Sequence, residues 1–340
     1  MDCQKSLTPL AEEYEVKTVF FGGGTPSLLT PEQICRIMQC IKDCIAVSTE
    51  AENTMEVNPG TIQREMFDGY LSAGINRISF GLQSMQDEEL ACLGRIHDSS
   101  CFLDNYQSAR IAGFNNINID IMYNIPGQTK ESFRSTLLKL MELKPEHISA
   151  YSLIVEEETP FYDLFCQGKL SLPGEDEEEA MDLCLSSILE SCGYRQYEIS
   201  NYAREGYACR HNITYWQRGE YLGLGLGAAS LLQEVRFNRT RSLSAYMAQA
   251  EEGEFFRENE QQLSISEAME EFMFLGLRMN EGVSESQFKS YFHRDMEEVY
   301  KDVLERLEKN KMICRKNGQV CLSETGRRLG NQVFGEFLLS

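Results

Sequence analysis

The sequence lacks the features that mark membrane, secreted and nucleic-acid-binding proteins. No apolar stretch approaches the roughly 20 residues that a membrane-spanning helix needs. Residues 1–18 have neither the basic start nor the apolar centre of a signal peptide. Basic residues are scarce, because 32 Lys and Arg stand against 53 Asp and Glu, which gives a net charge of −21. That charge opposes diffuse attraction to phosphates. We therefore expect a cytoplasmic protein that does not bind nucleic acid.

Tryptophan occurs once, but there are 12 cysteines among the 340 residues. Because no secretory signal accompanies them, the cysteines predict reduced thiols, many of them small core residues, and not a disulfide framework. A chain of this length can bury a full core and favours more than one domain.

Residues 17–158 alternate short β-rich runs with helical patterns, which is typical of βαβ units around a parallel sheet. The predicted strands are Val19–Phe21, Thr54–Val57, Arg77–Gly81, Asn118–Met122 and Ile148–Ile154. These strands are too few for a complete barrel, so the class is α/β with a partial barrel over residues 1–160.

Two further regions are predicted beyond the sheet. Residues 161–263 form an α+β region, with a helix that begins in an acidic run at Glu175 and a strand at Tyr197–Tyr202. In residues 264–340, three helices precede a hairpin around Asn317-Gly318, which is a strong hairpin turn. Three helices and a two-stranded wing predict a winged-helix-like domain.

Three glycines follow the first predicted strand. Gly22, Gly23 and Gly24 let the chain turn tightly and bring bare N–H groups against a ligand. Thr30 then begins a helix as an N-cap, with Gln33 placed to close a capping box. Taken alone, the turn is equally consistent with a loop whose glycines only relieve strain.

Polar residues also follow the later strands. Glu56, Gln83 and Asp120 lie at or just past the carboxyl ends of successive predicted strands, the edge where parallel α/β sheets bind ligands. Any one of them could be a cap or a surface group. As a set, with the glycine turn, they predict a binding pocket.

Several motifs together resemble one family. The chain is similar to the radical S-adenosylmethionine proteins related to oxygen-independent coproporphyrinogen III oxidase, and within them to the HemW-type haem chaperone branch. The residues that carry the resemblance are Phe21–Leu29 (FGGGTPSLL), Glu56–Pro59 (EVNP), Ser79–Ser84 (SFGLQS), Gly94–His97 (GRIH), Asn118–Asp120 (NID) and His211–Trp216 (HNITYW). The last of these matches the HNxxYW motif of the chaperone branch.

The resemblance assigns the pocket to S-adenosylmethionine. It implies that Gly22, Gly23, Gly24 and Thr25 contact the methionine part of the cofactor, with Glu56 beside its amino group. Three further residues and one backbone position carry over as pocket residues from positions that in the oxidase contact a second cofactor molecule or the adenosine. They are Gln83, Arg95, Asp120 and Ile154.

The HNxxYW match makes His211 a candidate ligand for haem iron, with Tyr215 and Trp216 as aromatic neighbours for the porphyrin. Three alternatives stay open. His211 could be a structural histidine bonded within the protein, Cys209, two residues earlier, is a softer candidate ligand, and haem could be held by a residue absent from this chain.

One family feature is absent from the sequence. The family holds a [4Fe–4S] cluster on a CxxxCxxC loop after the first barrel strand, and this chain has no such motif. Cys40 and Cys44 have the first spacing, but Val47 stands where a third cysteine would fall, and both lie on a predicted helix. We expect that the first strand, the cluster loop and part of the first helix are missing, with Cys3 in the remainder of that helix. Strand Val19–Phe21 should then have an unpaired edge, which favours association.

The resemblance implies a haem chaperone that binds haem and S-adenosylmethionine, with cluster-dependent catalysis doubtful in this chain. Its partners would be haem and haem-accepting client proteins, a membrane-associated client among them, and a homodimer is a further option. Two alternatives remain: an oxidoreductase like coproporphyrinogen III oxidase, and a non-enzymatic module that binds through its winged-helix segment.

Overall fold

A computed structural model describes residues 2–339. Its centre is a seven-stranded sheet in the order β1-β2-β3-β4-β5-β7-β6, curled into part of a barrel. Strands β1 to β5 run parallel, and β6 and β7 add antiparallel strands at the far edge. The strands of this sheet are β1 Glu15–Phe21, β2 Ala46–Val57, β3 Arg77–Gln83, β4 Ile117–Tyr123, β5 His147–Ser152, β6 Arg195–Glu198 and β7 Asn201–Ala203.

Helices connect these strands and cover the outer face of the sheet. The helices of this part are α1 Asp2–Leu7, α2 Pro31–Cys44, α3 Arg64–Ala73, α4 Asp87–Cys92, α5 Ser99–Ala112, α6 Lys130–Leu143, α7 Pro160–Cys166 and α8 Glu175–Ser191. The predicted capping box begins α2: the Gln33 N–H donates to Thr30 Oγ1, and the Thr30 N–H donates to Gln33 Oε1.

The two faces of the sheet differ in chemistry. Apolar side chains such as Phe80 alternate outward, where Phe80 packs against Phe67 of α3 and Phe102 of α5. Polar side chains alternate inward, where the Ser79 hydroxyl donates to Asp120. Because successive residues of a strand point to opposite faces, this period-2 pattern gives a hydrophobic outer layer and a polar concave face.

The five predicted parallel strands are confirmed, although β2 begins eight residues before its predicted start. The single strand predicted at Tyr197–Tyr202 is wrong, because the chain reverses there and forms two antiparallel strands, β6 and β7. Cys3 lies in the short helix α1, as expected. Strand β1 ends the sheet, and within residues 2–339 its one strand neighbour is β2, so its other edge is unpaired.

The middle of the chain holds a small antiparallel sheet that we did not predict. Its strands, in the order β10-β9-β8, are β8 Ala229–Leu232, β9 Val235–Asn238 and β10 Glu258–Gln262, and the helices here are α9 Arg210–Trp216 and α10 Leu243–Glu252. Helix α9 carries the HNxxYW residues and packs against β1.

The carboxyl-terminal region contains the predicted helices and hairpin. Asn317 and Gly318 both have positive φ, 54° and 74°, as a tight hairpin turn requires. The elements are α11 Ile265–Gly276, β11 Val283–Ser284, α12 Glu285–Phe292, α13 Met296–Lys309, β12 Ile313–Lys316, β13 Gln319–Leu322, α14 Glu324–Arg328 and α15 Gly330–Gly335. Across residues 2–339, no helix combines the length and apolar character needed to cross a bilayer.

Candidate functional site

The glycine turn and the strand-end residues meet at one edge of the sheet. Gly23 and Gly24 have φ of 76° and 61°, and a Cβ at either would meet no atom within 4 Å. Gly23 donates its N–H to Glu56 Oε2 over 3.1 Å. A Cβ at Gly22 would lie 3.3 Å from the Glu56 carboxyl carbon, so the carboxylate approaches the turn closely. The turn is therefore an open cradle with a carboxylate at its base.

Two carboxyl groups face this cradle. Burial raises the pKa of Glu56, the Gly23 N–H partly offsets this, and the charge of Asp120 raises it further. Burial also raises the pKa of Asp120, although its oxygens accept bonds from Asn118 Nδ2 (2.8 Å) and Ser79 Oγ (3.2 Å). In residues 2–339 neither carboxyl forms a salt bridge. Such a pair favours a cationic ligand, whose charge would stabilise both ionised forms.

Gln83 is the last residue of β3 and lies at the same edge of the sheet. Its φ is 77°, unusual for a residue with a side chain, and its Nε2 atom folds back to within 3.3 Å of where a Cβ of Gly81 would lie. Asn58 Oδ1 lies 3.0 Å from that same point. Asn58 in turn donates to Thr25 Oγ1 at 3.5 Å, which links the loop after β2 to the glycine turn.

Arg95 and Ile154 lie beyond other strand ends. Arg95 is half-buried after α4; burial lowers its pKa and the charge of Asp120 opposes that change. Ile154 follows β5, and its side chain is 75% exposed. The structure thus brings Gly22 to Thr25, Glu56, Gln83 and Asp120 to one edge, while the Ile154 side chain faces solvent.

The HNxxYW residues form a separate group against β1. His211 stacks on Phe20 with ring centroids 4.9 Å apart. Its Nδ1 pairs with Thr18 Oγ1 at 2.8 Å and its Nε2 with the Tyr215 hydroxyl at 3.1 Å. Both ring nitrogens are thus engaged within the protein. Thr18 lies four residues before Gly22, roughly 13 Å along the strand from the glycine turn.

A buried glutamate, which the sequence analysis missed, holds this helix. Glu52 on β2 accepts the backbone N–H groups of Arg210 and His211, each over 3.2 Å. The thiol of Cys209 donates to the same carboxylate over 3.4 Å, and burial raises the pKa of that thiol to about 11. Cys209 is therefore a neutral thiol at pH 7. Glu52 sits at the beginning of α9, where the helix dipole favours negative charge.

Trp216 belongs to a different contact. The guanidinium of Arg278 lies over its indole ring, 4.6 Å from the centroid. The indole nitrogen is buried and lacks a hydrogen-bond partner within the described residues. Arg278 follows α11, so Trp216 packs α9 against the carboxyl-terminal region, whereas His211 and Tyr215 face β1.

The lowered pKa of His211 predicts that folding stability depends on pH. Burial lowers the pKa of His211 to about 4 from an ordinary value of 6.5. Because only the unfolded chain binds this proton between those values, His211 makes the protein less stable as pH falls from about 6.5 towards 4, by up to about 3 kcal/mol. His211→Gln should therefore lose less stability than wild type between pH 7 and pH 4.5, measured by urea unfolding.

The exposed His293 provides the control for this experiment. His293→Gln should follow the wild-type dependence on pH. If His211→Gln does the same, His211 does not couple folding to protonation. Burial also lowers the pKa values of His97 and His147, but both are present in every variant, so the comparison isolates His211.

The cysteines near the glycine turn lie on helix α2. Cys40 and Cys44 are one turn apart and half-buried, and Cys35 is exposed. In the described part of the chain, no group of three or more His, Cys, Asp and Glu side chains is placed to hold a metal ion. These residues do not fit a [4Fe–4S] cluster, so we derive no step through one.

Basic side chains of the carboxyl-terminal region contact acidic ones. Arg315 bonds Glu285 and Glu297, both at 2.8 Å. Arg328 pairs with Glu179 of α8. Arg315 thus joins β12 to α12 and α13, and Arg328 joins α14 to α8.

The sequence and the fold are similar to those of known proteins. Residues 6–140 match the radical SAM superfamily, and residues 263–329 match the HemN C-terminal domain. The structure of coproporphyrinogen III oxidase (HemN) from Escherichia coli, a radical SAM enzyme, superposes with a TM-score of 0.83. That comparison covers 99% of this chain and 81% of that one at 22% identity, and so shows the fold.

Several curated proteins have a higher sequence identity to this chain than that structure does. "Heme chaperone HemW" of Bacillus subtilis is 36% identical over 325 residues, which cover 95% of this chain and 86% of the relative. The protein of that name from Escherichia coli is 34% identical over 83% of this chain and 73% of its own length. With this fold and these relatives, the chain belongs to the HemW haem chaperone family of the radical SAM superfamily.

Proposed function

We propose that this protein binds haem and S-adenosylmethionine and acts as a haem chaperone. The observation that carries the cofactor half is the pair of half-buried carboxyls, Glu56 and Asp120, next to an open glycine turn. S-adenosylmethionine carries an ammonium and a sulfonium, so both of its positive charges suit this pair. The N–H groups of Gly22, Gly24 and Thr25 would receive its carboxylate, since the Gly23 N–H already donates to Glu56.

Gln83, Arg95 and Asp120 serve in this proposal as the wall of the same pocket, and the backbone at Ile154 as a contact for the adenosine. Gln83 ends β3 and Asp120 lies within β4, whereas Arg95 follows α4 and Ile154 follows β5. When a [4Fe–4S] cluster is present, radical SAM proteins cleave the cofactor reductively. The residues described here lack a ligand set for that cluster, so the proposal rests on binding and not on catalysis.

The haem half rests on His211. Its low pKa keeps the imidazole neutral at pH 7, which is the form that ligates iron. Tyr215 and Phe20 place aromatic rings beside it. Because Nε2 pairs with the Tyr215 hydroxyl, iron must displace that hydroxyl to bind there. Trp216 would support the macrocycle indirectly, by fixing α9.

A haem titration followed at the Soret band tests this role. We expect wild type to bind and His211→Ala to bind about tenfold or more weakly, because a ligand bond is lost. Tyr215→Phe should bind at least as tightly as wild type, since it frees Nε2. His293→Ala is the matched control. No binding by any of the four proteins would defeat the haem role, and equal binding by all four would move the iron ligand away from His211.

We further propose that the protein passes haem to client proteins, a membrane-associated one among them. It would do so in the cytoplasm, and it would form a homodimer. The unpaired edge of β1 supports association between copies. Sedimentation of the purified chain at several concentrations measures it, and a monomer at every concentration contradicts the dimer.

A further inference from the structure

One arginine is buried on the concave face of the sheet. Arg77 begins β3 and is 2% exposed. Its side chain makes no hydrogen bond or salt bridge with any residue from 2 to 339, and Nε in particular is closed off from solvent. Buried guanidinium groups are normally paired, because moving a charge out of water without a partner is costly.

A second unpartnered polar group lies beside it. Thr54 of β2 is the register partner of Arg77 on the neighbouring strand, so both side chains point to the same face. Thr54 is 1% exposed, and its hydroxyl oxygen also lacks a partner among the described residues. Neighbouring strands lie about 4.8 Å apart, so the two unpartnered groups are adjacent.

The charged and polar groups around them are already engaged. Glu52, on the same face, accepts from the beginning of α9 and from Cys209. Asp120 accepts from Asn118 and Ser79. The ring nitrogens of His147 pair with Asn118 Oδ1 at 2.6 Å and the Tyr197 hydroxyl at 2.9 Å. Burial raises the pKa of Asp120 and the charge of Arg77 acts to lower it, but within residues 2–339 Arg77 forms no hydrogen bond or salt bridge with any of these groups.

We propose that Arg77 and Thr54 form a carboxylate-binding subsite on the concave face. A guanidinium offers two parallel N–H groups that match the two oxygens of a carboxylate, and the threonine hydroxyl adds a third donor. The subsite lies two residues, about 7 Å, along the strands from the level where Glu56 pairs in register with Ser79. It is therefore separate from the carboxyl pair at the edge and of opposite charge.

The carboxylate has two sources that the chemistry alone does not separate. One is a small free carboxylate, and the other is a propionate of haem, in which case the inference rests on the proposed function. Formate serves as the probe for the first source. Haem and its dimethyl ester, which lacks the charged propionates, serve for the second.

The first experiment measures thermal unfolding of the full chain in formate against chloride at equal ionic strength. We expect formate to raise the wild-type Tm saturably, Arg77→Met to abolish the rise, and Thr54→Val to weaken apparent formate affinity about tenfold. Thr54→Val should fold at least as well as wild type without formate, because it removes an unpaired buried hydroxyl. The exposed Thr49 on the same strand gives the control Thr49→Val, which should behave as wild type.

The second experiment compares haem with its dimethyl ester. If a propionate is the ligand, wild type binds haem more tightly than the ester, and Thr54→Val reduces that difference. Either result, the formate effect or the haem–ester difference with its dependence on Thr54, supports the subsite. It is overturned if wild type shows neither, or if Thr54→Val and Arg77→Met leave both unchanged. If no form binds haem, the proposed function fails and the formate experiment alone decides the subsite.

Discussion

Replacing Arg239 with methionine will destabilise the protein by about 3–5 kcal/mol, because it leaves a buried carboxylate unpaired. Arg239 is 4% exposed and its Nη2 atom lies 3.0 Å from Asp2 Oδ1. Asp2 is also buried, and its second oxygen accepts from the Gly225 N–H (3.0 Å) and the Tyr246 hydroxyl (2.9 Å). One carboxylate thus ties α1 to the loop before β8, to the residue after β9 and to α10.

Urea unfolding of Arg239→Met against wild type measures the loss. The matched control is Arg241→Met, because Arg241 lies two residues away and is exposed; it should change stability by less than about 0.5 kcal/mol. The double variant Asp2→Asn/Arg239→Met should recover part of the loss, since the unpaired charge is gone. A cost below about 1 kcal/mol for Arg239→Met would show that the pair does not anchor α1.

Replacing Glu56 with glutamine should weaken the binding of S-adenosylmethionine about 10- to 100-fold, which corresponds to the loss of a hydrogen bond to a charged group. Glu56 is the carboxylate nearest the glycine turn, and the Gly23 N–H holds one of its oxygens in place. The glutamine keeps the size of the side chain but removes the charge that, in the proposed function, would face the ammonium of S-adenosylmethionine.

Isothermal titration calorimetry of the two proteins measures the difference. The exposed Glu50 lies on the same strand, and Glu50→Gln should bind as wild type does. Because the raised pKa of Glu56 favours its neutral form, wild-type affinity should rise with pH through that pKa, whereas affinity of Glu56→Gln should not show that step. Equal affinity of Glu56→Gln and wild type would remove Glu56 from the cofactor site.

Local patterns were enough for much of the fold. The β-rich run Arg77–Gly81 predicted strand β3, and the Thr30 capping box predicted where α2 begins; both are confirmed. The chain reversal between β6 and β7 was missed, because Glu198 to Asn201 contains no glycine or proline to mark a turn. The sheet β8 to β10 was missed for a different reason. All five residues of β10 are exposed, so this strand has no apolar pattern that would predict it.

The sequence predicted some residues of the candidate site and missed others. Glu56, Gln83 and Asp120 were found because they lie at or just past the carboxyl ends of predicted strands, and parallel strands end at a common edge. Glu52, Thr54 and Arg77 carried a comparable signal, a polar residue at every second position of β2 and at the start of β3. That pattern indicates a polar face, but it does not reveal which of its members lack partners.

The sequence by itself determined the periodicities, the turns and the family motifs, because those depend on residues close together in the chain. Tertiary structure decided the partner of each buried charge. Asp2 meets Arg239 across 237 positions and His211 meets Thr18 across 193. No local pattern encodes such pairs, since the energy of a buried charge depends on whatever the folded chain brings within a few ångströms of it. For the same reason, only the folded protein shows that the buried Nε of Arg77 has no hydrogen-bond partner within residues 2–339.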